Sequence, residues 1–181
     1  QPVIVENIGG GGGTIASQAV AKAPADGYTL MVAYVGTHGT NPAVRKLPYD
    51  AVKDFTPIGM IGATPNVLVI NPELPIKSLK EFIDYAKKNP SKLSYGSAGP
   101  GTLTHLGMEQ IKLSADFFMV HVPYRGVGPA YTDLLAGQTQ AMFPTLFAAL
   151  PYINTNRVRG LAVTGAKRSA AAPNIPTFKE L

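Results

Sequence analysis

A chain of 181 residues carries sixteen Lys and Arg against eleven Asp and Glu, a formal charge of +5, with 15% of its residues charged and 45% hydrophobic. That length fits one domain, or a lobe and a half of something larger, and the composition fits neither a disordered chain nor a basic nucleic-acid tail. With no cysteine, a disulfide framework, a thiol nucleophile, an iron–sulfur cluster and a thiolate zinc site are all excluded, while nineteen Gly and sixteen Pro indicate a globular chain rich in loops.

Short β-rich apolar runs alternate with helical stretches along the chain, the order of an α/β domain. The pattern predicts strands at 3–6, 29–34, 57–62, 66–71, 93–95, 118–121, 140–143 and 160–164. Helices are predicted at 14–23, 78–88, 102–113, 129–135 and 145–154. Ser78 and Glu81 make a capping box for the second of these, and Leu79, Phe82, Ile83 and Ala86 share one face. Pro129 suits the first turn of a helix, where its missing N–H is not needed. The strand order is open. The longest uncharged run, 134–156, contains Gly137, Gln138, Gln140, Pro144 and Pro151, so no transmembrane helix is predicted. The chain opens at Gln1 without Met or a leader pattern, which reads as a processed or truncated product.

One device recurs: a strand, a Gly-rich loop, then a helix. It occurs at 7–14, at 34–41 with Gly36-Thr37 and Gly39-Thr40, at 96–102 with Gly99 and Gly101, and at 124–129. Glycine lets a backbone turn tightly or approach a ligand closely, and the helix start that follows offers unpaired N–H groups with partial positive charge. Such ends bind carboxylate or phosphate, and in an open parallel α/β sheet several can converge on one small ligand. Any single loop reads equally well as a turn and a cap.

Other chemistries fare worse. Gly11-Gly12-Gly13-Thr14-Ile15-Ala16 fits G-x-G-x-x-A, yet the next predicted strand ends in Ala33-Tyr34-Val35 without the acid a dinucleotide ribose needs, and no Lys follows a Gly run in Walker fashion. His38, His105 and His121 share no metal-ligand spacing, and Ser97 lacks the second glycine of a nucleophile elbow. His121 reads as a structural histidine at a strand end. His38 and His105, inside or beside Gly-Thr loops, are placed to donate to a ligand oxygen, and Arg125 to pair with a carboxylate. The other basic residues, Arg45-Lys46 among them, are dispersed and read as solvated faces, which argues against nucleic acid.

Read together, Val3-Ile-Val-Glu-Asn7 with its following glycines, Ala23-Pro-Ala-Asp-Gly-Tyr-Thr-Leu30, Gly36-Thr-His38, Leu47-Pro-Tyr-Asp50, Lys53-Asp-Phe55, Ser97-Ala-Gly-Pro-Gly-Thr102 with His105-Leu106, His121-Val-Pro-Tyr-Arg-Gly126, Asp133-Leu-Leu135 and Leu161-Ala-Val-Thr164 with Lys167-Arg168 resemble the tripartite tricarboxylate transporter substrate-binding proteins, the TctC or Bug receptors. The likeness runs in order through nearly the whole chain. It implies an α/β, periplasmic binding protein-like fold of type II, a Venus flytrap of two α/β lobes. It further implies a periplasmic protein with no catalytic activity and no cofactor, which closes on a small carboxylate and delivers it to membrane permease subunits.

The resemblance places an incomplete first lobe at 1–66, lacking its first strand-loop-helix and its C-terminal return, and most of the second lobe at 67–181. Its ligand-binding residues carry over to Thr37 and His38 from the first lobe, and to Ser97, Ala98, Gly101, Thr102, Tyr124, Arg125, Gly126 and Thr145 from the second. Many relatives have Phe-Asp-Asn where this chain reads Phe143-Pro144-Thr145, and in amino-acid binders that Asp meets the ligand ammonium; with Pro144 the expected ligand is a carboxylate without an α-amino group. The Arg-Pro that often follows the family's Glu-Asn is Ile8-Gly9 here. Two other readings remain beside it: an α/β enzyme on an anionic substrate with His38 or His105 as acid or base, and an effector lobe of a regulator, for which no DNA-binding segment is visible.

Overall fold

The computed structural model describes residues 2–181. The first part of the chain holds a 3-10 turn at Gly11–Gly13 running into α1 (Thr14–Ala21), and a π-turn at Gly36–Thr40 running into the short α2 (Asn41–Val44). From Val67 onward strands and helices alternate: β1 (Val67–Ile70), α3 (Leu79–Lys88), β2 (Ser94–Ser97), α4 (Leu103–Ala115), β3 (Val120–Pro123), α5 (Val127–Leu135), β4 (Ala141–Met142), α6 (Leu146–Asn154) and β5 (Arg159–Val163).

The five strands form one sheet in the order β3-β2-β4-β1-β5. β2 pairs in parallel with β3 and β4, whereas β1 is antiparallel to both β4 and β5, so β1 is the reversed strand. The C-terminal ends of β2, β3 and β4 therefore share one edge of the sheet with the N-terminal end of β1.

Burial follows from the sequence. Val67, Leu68, Val69 and Ile70 are wholly buried, as an uninterrupted apolar run should be when both sheet faces are covered. Successive side chains point to opposite faces: Leu68 and Ile70 join Phe82, Tyr95 and Met108 in the core under α3 and α4. Val67 and Val69 join Leu134, Met142, Leu146 and Ala149 in the core under α5 and α6. The result is a three-layer α/β/α lobe, the fold class expected.

The three strands predicted at 3–6, 29–34 and 57–62 do not form. These segments carry no regular secondary structure and pair with no strand, and Val3, Leu30 and Ile58 are 84%, 67% and 83% exposed. Their side chains favour a pleated, half-buried surface, but a strand exists only when a neighbour completes its ladder, and among the described residues none lies beside them. Within this chain the first lobe is incomplete.

Candidate ligand-binding site

Three connections leave the shared edge of the sheet: β2 through 97–102 into α4, β3 through 124–126 into α5, and β4 through 143–145 into α6. The N-caps of these helices, Thr102, Gly126 and Thr145, give no side-chain cap hydrogen bond. Because β1 runs the other way, α3 begins at the opposite edge, and there Ser78 Oγ does cap, accepting from the Glu81 N–H at 3.2 Å. Among the helices that follow strands of the sheet, the starts left without side-chain caps are thus the ones facing the shared edge, where their N–H groups present partial positive charge. The start of α6 is partly closed by the crossover from the first half, since the Leu146 N–H donates to the Pro65 carbonyl at 2.7 Å.

The 97–102 loop is folded on itself. Gly99 and Gly101 have φ of 119° and 76°, values that L side chains rarely adopt. Through these turns the Ala98 N–H donates to Thr104 Oγ1 at 2.9 Å, Gly99 to Ser97 Oγ at 3.1 Å, Gly101 to His105 Nδ1 at 3.1 Å and Thr102 to the Gly99 carbonyl at 3.3 Å. The loop's own amides therefore turn inward instead of aiming at a guest, and the Leu103 and Thr104 N–H groups at the start of α4 are the open donors.

The first half meets this edge through its own loops. Gly12, at φ 64°, offers its carbonyl to Tyr34 Oη at 3.1 Å and to Asn41 Nδ2 at 2.9 Å. Asn41 Oδ1 is buried without a hydrogen-bond partner. A Cβ on Gly12 would stand 2.9 Å from the Thr102 methyl, and one on Gly9 3.3 Å from the Arg125 carbonyl. Thr40 Oγ1 donates to the Gly101 carbonyl at 3.2 Å, and the Arg45 guanidinium donates to the carbonyls of Gly11, at 3.2 Å, and of Pro100. All four glycine loops singled out in the sequence meet in one place.

The expected ligand residues occupy that region with different degrees of freedom. Thr37 is buried, its hydroxyl between the Tyr34 carbonyl at 3.0 Å and His38 Nδ1 at 2.8 Å. The His38 ring packs edge-on against Phe55, 4.6 Å between centroids, and beside Tyr49, whose hydroxyl donates to the Thr37 carbonyl at 2.7 Å. Burial pushes the His38 pKa below its usual value. Ser97 is fully buried, with Oγ 2.6 Å from His121 Nε2. Tyr124 donates its hydroxyl to Asp133 on α5 at 2.5 Å, and burial together with that bond raises its pKa to about 12. Arg125 is exposed beside Gly126, the N-cap of α5, and Thr145 bridges Asn66 at the start of α6. Sequence reading missed Asn41, which looks like part of a turn, and Arg45, which looks like a solvated pair with Lys46. No group of three or more metal-ligating side chains forms among the described residues, and none of the helices there is long and apolar enough to cross a membrane.

Comparison with known proteins identifies the chain's family and its fold relatives. Residues 1–181 match the family model described as the tripartite tricarboxylate transporter family receptor. A Cupriavidus necator protein from the gbd 5′ region is 39% identical over 181 residues, which is 100% of this chain and 55% of that protein. BugT of Bordetella pertussis is 36% identical, with 100% of this chain and 56% of that protein covered. The chain thus spans about half the length of these relatives. Among solved structures, a periplasmic transporter superposes with a TM-score of 0.96 at 43% identity, over 99% of this chain and 61% of that one. An R. palustris protein with adipate gives 0.89 at 38% identity, over 93% and 56%. MatC from Rhodopseudomonas palustris with bound malate gives 0.93 at 33%, over 99% and 62%. The likeness is to solute receptors, not to enzymes.

Proposed function

The chain belongs to the tripartite tricarboxylate transporter receptor family, and from that premise we propose that it is part of a periplasmic solute-binding protein that captures a small carboxylate and hands it to the permease subunits of a membrane transporter. Residues 1–66 contribute to one lobe and 67–181 to the other, with the hinge at the crossover into β1. The observation that carries this reading is the contrast in capping: the starts of α4 and α5 lack side-chain caps at the edge where four glycine loops meet, whereas α3 at the far edge is capped by Ser78. The ligand is held between Thr37 and His38 on one side and Ser97, Thr102, the Tyr124-Arg125-Gly126 turn and Thr145 on the other, while Ala98 and Gly101, whose amides are engaged within the loop, shape that wall instead of donating to the ligand. The lobes part to admit it and close over it.

The ligand is a dicarboxylate or related acid without an α-amino group. The family resemblance sets Pro144 where amino-acid binders are expected to carry an Asp, and two similar proteins hold adipate and malate. Thermal unfolding of the chain with adipate, malate, aspartate and glutamate tests this. A rise in midpoint with the first two at millimolar concentration is expected, since a ligand bound only by the folded state stabilises it in proportion to RT ln(1 + [L]/Kd). Stronger stabilisation by aspartate or glutamate would refute the assignment. The enzyme alternative has no support in the geometry: His38 is packed against Phe55, and His105 Nδ1 is engaged by the Gly101 amide.

A further inference from the structure

Beneath the 97–102 loop lies a pair of imidazoles that the ligand reading does not use. The rings of His105, on α4, and His121, on β3, stack with centroids 4.2 Å apart and an interplanar angle of 24°. Tyr95 of β2 also stacks with His121, at 4.9 Å between centroids. Each imidazole holds a different point of the same loop: His105 Nδ1 takes the Gly101 N–H at 3.1 Å, and His121 Nε2 meets Ser97 Oγ at 2.6 Å. Ser97 Oγ in turn accepts from the Gly99 N–H.

We propose that His105 and His121 are positioning residues which fix the shape of the 97–102 loop only while both imidazoles are uncharged. The chemistry follows from donors and acceptors. A nitrogen that accepts the Gly101 N–H carries no proton, so His105 is the Nε2–H tautomer. Ser97 is fully buried and His121 Nε2 is the one acceptor within reach of its hydroxyl among the described residues, so that proton goes to His121 Nε2, which makes His121 the Nδ1–H tautomer. Protonating His105 at Nδ1 sets donor against donor at Gly101. Protonating His121 at Nε2 reverses the Ser97 bond. Charging both rings at 4.2 Å adds like-charge repulsion.

The charged and titratable neighbours come from every element around the pair: Tyr95 on β2, Glu109 and Lys112 on α4, and Arg45 after α2. Glu109 favours a charged imidazole, but it is engaged by Lys112 at 2.7 Å and by the Tyr95 hydroxyl. Burial, the largest influence on both rings, and the cations Lys112 and Arg45 act the other way on His105. Burial and the neighbouring His105 bring His121 down to about 4.

The inference rests on the reading of 97–102 as a ligand loop only for its effect on affinity; the loop's own shape is read without any ligand. The test measures hydrogen exchange of the Gly101 amide in the full chain, as a protection factor corrected for the pH dependence of intrinsic exchange. It is accompanied by imidazole 15N shifts across pH 7.5 to 3.5. The expected result is neutral tautomers as assigned at neutral pH, with protection at Gly101 falling about five- to ten-fold as the pair charges, the scale of one net hydrogen bond.

His105→Asn places a neutral acceptor near the position of Nδ1 and retains protection at low pH. His105→Phe keeps the stack but removes the acceptor and loses protection at all pH. Affinity for malate and adipate, by calorimetry, follows the same order. Equal protection in wild type and His105→Phe, or charged imidazoles at neutral pH, would overturn the proposal. Protection that behaves as expected in a chain binding neither acid would leave the positioning role standing and remove the ligand reading instead.

Discussion

The guanidinium of Arg45, just past α2, donates to the carbonyl of Pro100 in the loop between β2 and α4, and so ties the first half of the chain to the second. The same side chain holds the Gly11 carbonyl at 3.2 Å. One planar cation thus gathers two backbone loops that come from opposite sides of the crossover at 64–66, a use that the fork geometry of guanidinium serves better than a Lys ammonium. If the protein works by parting and closing, this bond exists only in the closed form. Arg45→Ala is expected to weaken malate or adipate binding about ten- to 150-fold, the range for a hydrogen bond to a charged group, with a smaller effect on the unfolding midpoint of the ligand-free chain. Calorimetry checks the first and thermal unfolding the second; unchanged affinity would remove Arg45 from closure.

Gly12 sets how near the halves approach. It sits at φ 64°, and a Cβ there would come 2.9 Å from the Thr102 methyl. Gly12→Ala meets two penalties, about 1 kcal/mol for the left-handed backbone and a further displacement of Thr102. The expected outcome is a ligand affinity reduced by ten-fold or more, and a more open shape in small-angle scattering with ligand present. An alanine variant that closes and binds like wild type would show that this approach is not needed.

The two halves should respond differently to the loss of apolar groups. Phe82 is wholly buried between α3 and the sheet, so Phe82→Ala is expected to destabilise the chain by about 3–5 kcal/mol. Ile58 and Met60 are 83% and 89% exposed, and changing either to Ser is expected to move stability by no more than about 0.5 kcal/mol. Limited proteolysis should likewise cut first within 22–35 or 50–64, where the backbone is exposed and no strand ladder protects it, leaving 67–181 as the resistant fragment. Early cleavage inside the sheet would contradict this division.

Much of the second half was legible because its signals are local. The buried run at Val67–Ile70, the Ser78 capping box and the helical spacing of Leu79, Phe82 and Ala86 each specify an element without reference to the rest of the chain. The strand order was not legible, since nothing local says that β1 must run against its neighbours. The segments at 3–6, 29–34 and 57–62 show the converse limit: Val3, Val32 and Ile58 carry β propensity, but a strand is a property of a pair. At the site, Gly99 and Gly101 announced a turn, and both are at positive φ. Their consequence was misjudged, because Ser97, Thr104 and His105 absorb the amides the turn exposes. Arg45 and His121 act across 55 and 24 residues of sequence, contacts that no motif encodes.

The burial of His121 also fixes how stability varies with acid. Its pKa is brought down to about 4, first by burial and then by His105, whereas an unfolded chain would titrate near the ordinary 6.5. Between those values the unfolded chain binds more protons than the folded one, so stability rises with pH there. Its favourable contribution is complete above about pH 6.5, declines as the pH falls toward 4, and levels off below that. His105, also shifted down by burial, adds to the same slope. Urea midpoints measured at intervals from pH 7.5 to 4.5 should therefore fall more steeply for the wild type than for His121→Gln, in which no titrating group occupies the site. The Gln variant retains a side-chain amide within reach of Ser97, so its stability at pH 7.5 is expected to stay close to wild type while its slope flattens. Parallel curves for the two proteins would mean that acid acts elsewhere, on carboxylates such as Asp84 or Glu180, whose pKa values are lowered mainly by hydrogen bonds with Lys80 and with the Thr177 N–H respectively.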